Sequence, residues 1–154
     1  MANFPYPGHI LSGQVLSGVV DWAAMGPAGY QIGTAHDTIA AGDPVYQVRT
    51  GGRGYARAVA TATGTMPAIG VAEAAAVSGA SVRVIVSPGQ VNVSGYNYSG
   101  HHGEDLWVPA AVGSPVTADP TTSGQYAQVI GFVVDTDSIY FRPGPMHQKG
   151  GGVW

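Results

Sequence analysis

The sequence predicts an all-β protein: a small antiparallel sandwich or barrel with an extended N-terminal arm and a flexible C-terminal tail. Three observations lead there. Short segments of alternating side chains recur roughly every ten residues between positions 43 and 142. Glycine and proline cluster between those segments, and acids, bases and thiols are scarce throughout. Alternation sends successive side chains to opposite faces, so each segment can bury one face and wet the other.

Residues 43–49, 54–62, 81–87 and 126–134 are the clearest strands. Residues 66–71, 90–94, 105–109, 115–118 and 138–142 complete the series. Gly51-Gly52 joins the first two segments and Pro88-Gly89 turns the chain from 81–87 into 90–94, both being hairpin signals. The one helix candidate is the alanine-rich stretch 71–77. Residues 1–30 read as an arm and first strand, 31–143 as the β domain and 144–154 as the tail. Within the arm, 14–20 is a fair strand, whereas 1–13 suits strand addition to a partner. Its apolar residues Phe4, Tyr6, Ile10 and Leu11 are candidate partner contacts.

The 24 glycines and 11 prolines among 154 residues are about twice the usual combined share of roughly 12%. Without a strict period they imply many tight turns rather than collagen. Hydrophobic residues make up 45% of the chain, enough for a core. Only 10% of residues are charged, against roughly 25% in an average domain. So neutral an exterior implies burial against copies of itself or another protein. The net charge of −3 gives no pull toward nucleic acid. There is no cysteine for disulfides or thiolate metal sites. No signal-peptide pattern and no long apolar run appear, so a soluble protein made in the cytoplasm, away from the membrane, is expected.

The inventory of reactive groups is thin. His101-His102-Gly103-Glu104-Asp105 is the densest set of potential ligands, but neighbours on an extended chain point apart, and a polar loop tip is the expectation. Asp135-Thr136-Asp137 lacks the glycine and distal glutamate of a calcium loop and suits a turn. Tyr30, Tyr96, Tyr98, Trp22 and Trp107 fit core or interface anchors better than a sugar-stacking platform. Arg49, Arg53 and Arg57 fall within nine positions and could share one face of a hairpin; a solvated face is the first expectation, and pairing of the guanidinium groups with acids on a neighbour is the functional alternative. No elbow, phosphate loop or dinucleotide motif is present. Neither catalytic residues nor a metal or cofactor site are expected, and an enzyme is not.

Several phrases resemble the head decoration, or cement, proteins of tailed bacteriophages. They are Gly42-Asp43-Pro44-Val45, Ala68-Ile69-Gly70-Val71-Ala72, the strand 82–86, Leu106-Trp107-Val108-Pro109, Gly113-Ser114-Pro115-Val116-Thr117, and the closing stretch 129–143 with Ile130-Gly131 and its acidic turn. The resemblance implies a β-rich domain, often a homotrimer, seated on the outer surface of the virion. There it would clamp neighbouring major capsid protein subunits, with an N-terminal arm added to the shell as a strand. The alternative is a receptor- or glycan-binding domain of a phage head or tail fibre.

Overall fold

The computed structural model describes residues 29–49, 51–93 and 96–150. Of the first 28 residues it describes only the backbone of β1 (Val15–Leu16) and β2 (Val19–Val20), which pair antiparallel. Five strands close into a barrel: β3 (Tyr30–Ala35), β4 (Pro44–Val48), β5 (Gly54–Arg57), β6 (Gly70–Ala72) and β7 (Ser81–Ile85). Around the barrel the order is β3-β5-β4-β6-β7, and β7 returns to β3. Closure removes the free strand edges that invite aggregation. Every pairing is antiparallel except β3 with β5, which run parallel through Thr34↔Gly54 and Ala35↔Tyr55. Strand β7 shows the alternation plainly, with Val82 and Val84 buried and Ser81 and Arg83 exposed.

A second sheet centres on the long strand β10 (Tyr126–Asp135), which pairs with β9 (Asp105–Trp107), β11 (Ser138–Phe141) and β12 (Met146–Gln148); β8 (Gly89–Asn92) adds to the outside of β11. The fold is therefore all-β, a barrel plus a sheet. Among the described residues no helix is long and apolar enough to cross a membrane.

Two apolar clusters hold these parts. One belongs to the barrel and gathers Ile39, Val45, Tyr55, Val82 and Val84. The other joins barrel to sheet: Ala58, Met66, Ala68 and Val71 pack with Val91, Leu106, Val108, Ile130, Val133, Ile139 and Phe141. A polar clamp crosses the same boundary. Gln128, only 3% exposed, accepts from the Ala68 N–H at 2.8 Å and donates to the Ala68 carbonyl at 3.0 Å and the Gly144 carbonyl at 3.2 Å. Its amide thus completes a two-way backbone ladder with a residue 60 positions away.

Some expectations need correction. Residues 71–77 are not helical: Val71 and Ala72 pair with β7, and Ala76 exchanges backbone hydrogen bonds of 2.8 and 2.9 Å with Ile39. Alanine's helix preference is worth only tenths of a kcal/mol per residue, and two turns are too short to nucleate alone. The tail is not wholly unstructured, because Met146–Gln148 forms β12 against Tyr126–Gln128. Residues 115–118 contribute a single bridge, Trp107↔Val116. Strand β3, conversely, is not announced by the sequence. Its Gly33 weakens the β signal, yet a Cβ there would strike the Arg53 carbonyl and the Tyr55 ring.

Candidate partner-binding site

The β4–β5 hairpin carries the three arginines. Strand pairing ends at Val48↔Gly54, and Gly51 and Gly52, at φ of +82° and +96°, supply the left-handed backbone that the turn requires. Arg49 and Arg53 flank those glycines and are exposed. Arg57 sits at the other end of β5 and is half-buried. Its Nε lies 3.6 Å from Asp37 Oδ2, and its backbone N–H donates to the same oxygen at 3.3 Å. The Arg57 Nε and Asp37 Oδ1 are buried and make no hydrogen bond among the described residues. The hairpin therefore brings together Arg49 and Arg53 and leaves Arg57 apart. Phe4, Tyr6, Ile10 and Leu11 lie outside the described residues.

Beside the turn runs an open groove of about 780 Å³. Tyr46, Gln47, Val48 and Arg49 form one wall, and Thr63, Met66, Pro67 and Ile69, from the segment after β5, form the other. Among the described residues Arg49 is the only charged side chain lining it. Sequence alternation could suggest the hairpin but not this groove, because its second wall depends on how residues 63–69 fold back over β4.

His101, His102, Glu104 and Asp135 have internal partners. His101 Nδ1 lies 2.9 Å from Glu104 Oε2, and the Glu104 N–H donates to the His101 carbonyl, which closes the loop on itself. His102 Nδ1 lies 3.3 Å from the Val134 carbonyl. Asp135 and Asp137 flank the β10–β11 turn, where Asp135 Oδ1 accepts the Thr136 N–H. Among the described residues no three His, Asp or Glu side chains converge to hold a metal ion.

The aromatic residues do not assemble into one platform. Tyr98 is buried and its hydroxyl donates to the Pro115 carbonyl at 3.2 Å; Tyr30 lies under the Arg83 guanidinium, 4.3 Å from ring centre to Cζ. Trp22 lies outside the described residues, and Trp107 is half-buried in β9. Tyr96 serves a purpose that the sequence does not disclose. Its hydroxyl donates to Asp43 Oδ1 at 2.5 Å, while Asp43 Oδ2 accepts the Ala40 N–H at 2.9 Å. The aspartate of Gly42-Asp43-Pro44-Val45 is 1% exposed and ties the turn entering the barrel to the loop after β8.

Burial, then the hydrogen bond and charge of Asp43, push the Tyr96 phenol well above its ordinary range; burial and the same charge do so for Tyr98. A phenol with a raised folded pKa stabilises fully below its unfolded value near 10, and that contribution is lost as pH climbs toward the folded value. Resistance to denaturant from these two groups is thus flat up to about pH 10 and falls above it. Urea midpoints between pH 8 and pH 11.5 check this, and Tyr96→Phe should flatten part of the alkaline decline.

Comparison of the chain with protein-family models, with curated proteins and with solved structures finds no match.

Proposed function

We propose that this chain is a structural, non-enzymatic decoration protein that binds the outer surface of a phage head and stabilises contacts between major capsid protein subunits. The observation that carries the reading is a β framework clothed in few charges. Only 10% of residues are charged, whereas an average soluble domain has roughly 25%. A neutral exterior suits a protein whose surroundings are other protein subunits. The outer face of the second sheet adds the stacked rings of Phe132 and Tyr140, 5.3 Å apart and 16° from parallel. The phrases that resemble those of cement proteins are what suggest a capsid subunit as the partner.

Cementing also fits the mechanics. A closed barrel transmits load without opening an edge, and linked copies, as in a homotrimer, gain avidity from modest individual contacts. Residues 1–13 act as the strand-adding arm in this reading. Deleting them should reduce occupancy on purified shells by tenfold or more, about 1.4 kcal/mol or greater, while circular dichroism of the β domain is unchanged. Equal occupancy with and without the arm would reject its role. Receptor or glycan binding through Tyr96, Tyr98 and Trp107 has less behind it, since Tyr98 is buried and Asp43 holds the Tyr96 hydroxyl.

A further inference from the structure

We infer that the groove beside the β4–β5 turn is a docking cleft for an extended acidic segment of a neighbouring protein subunit, with Arg49 reading a carboxylate of that segment. This names the docking face within the structural role proposed above and rests on it.

The groove's volume of about 780 Å³ falls in the range of roughly 300–1,000 Å³ typical of ligand sites. Its lining mixes apolar surface from Tyr46, Met66 and Ile69 with polar groups on Gln47 and Thr63. An extended peptide suits such walls, since alternate side chains can enter the apolar part while the others reach the rim. Charge selects the sign of the occupant. The chain carries a net −3, yet among the described residues the one charged group in this groove is a cation. Arg57, Arg83 and Lys149 each pair with a carboxylate, whereas Arg49, Arg53 and Arg142 make no ion pair among the described residues. Arg49 lines the groove. Arg53, across the turn, lies near enough to Tyr55 to oppose the upward shift that burial gives its phenol. A guanidinium with unspent donors at the mouth of a half-apolar cleft matches a carboxylate in bidentate geometry. A nucleic acid would need a continuous basic track, and one lining arginine does not make one.

The test uses the full chain and a fluorescent ten-residue peptide alternating valine and glutamate, with a glutamine counterpart as control. Fluorescence anisotropy should show the glutamate peptide binding roughly tenfold more tightly than the glutamine peptide, as a charge-assisted hydrogen bond requires. Arg49→Gln should erase that difference. Arg53→Gln should reduce it by up to about fivefold, as for an exposed pair. Arg142→Gln, a change at an exposed cation beyond β11, should leave it intact. Equal affinity for the two peptides, no binding of either, or an Arg142→Gln effect matching that of Arg49→Gln overturns the inference. Shell binding separates this result from the broader role. If the Arg49→Gln/Arg53→Gln chain loads onto shells like the unaltered chain, the groove is not the docking face and the decoration role stands. If the unaltered chain does not load, the decoration role fails, and the peptide titration alone decides the groove.

Discussion

Gln128→Leu is expected to destabilise the fold by about 3 kcal/mol or more, because it orphans backbone groups that water does not reach. The amide of Gln128 satisfies both the N–H and the carbonyl of Ala68, a residue 2% exposed, and shares a second donor hydrogen with Gly144. Leucine keeps most of the volume and removes all three bonds. Each buried, unpaired donor or acceptor costs roughly 1–3 kcal/mol, and the apolar gain from leucine offsets only part of two such losses. For a chain of this size the midpoint of thermal unfolding should drop by roughly 6–12 °C. Gln128→Glu discriminates the cause. It keeps an acceptor for the Ala68 N–H, loses the donor to the Ala68 carbonyl and brings a charge into a buried site, so it should be no better tolerated than leucine. Differential scanning calorimetry of the three chains provides the check, and a leucine variant as stable as the original would show that the clamp is incidental.

Phe141→Ala is expected to cost about 3–5 kcal/mol. Phe141 is fully buried in the cluster that joins barrel to sheet and belongs to β11, which is paired on both sides. Neighbouring strands fix its surroundings, so little collapse can fill the space that truncation leaves. Across the β10–β11 ladder the ring's neighbour is Gly131, where a Cβ would collide with the Tyr140 carbonyl; the ladder has no slack there. Urea unfolding should show a lower midpoint with an unchanged slope, since the same surface is exposed on unfolding. A loss below about 1 kcal/mol would mean that the two parts do not depend on a shared core.

The alternation of Val82 and Val84 with Ser81 and Arg83 is written in the sequence, and so are the glycine turns at 51–52 and the acidic turn at 135–137. These depend on neighbours within a few positions. What the sequence hides depends on distant ones. Nothing near Gln128 in the sequence marks it as a buried clamp, because its partners Ala68 and Gly144 lie 60 and 16 positions away. The bond from Tyr96 to Asp43 spans 53 positions and leaves no local trace. The parallel pairing of β3 with β5 likewise needs Gly33 for close approach, although glycine argues locally against a strand.

Of the candidate site, the hairpin bearing Arg49, Arg53 and Arg57 was legible from spacing and from the two glycines. The division of labour among the three was not. Asp37 follows β3 and meets Arg57 only because β3 lies beside β5 in the barrel. Groove walls formed by residues 63–69 are equally a product of tertiary folding.

Co-sedimentation of the full chain with purified tailed-phage shells, across a range of chain concentrations, decides whether protein neighbours occupy the neutral exterior. Saturable loading at a fixed ratio of chain to capsid subunit is expected. A chain that stays in the supernatant as a monomer at every concentration contradicts it.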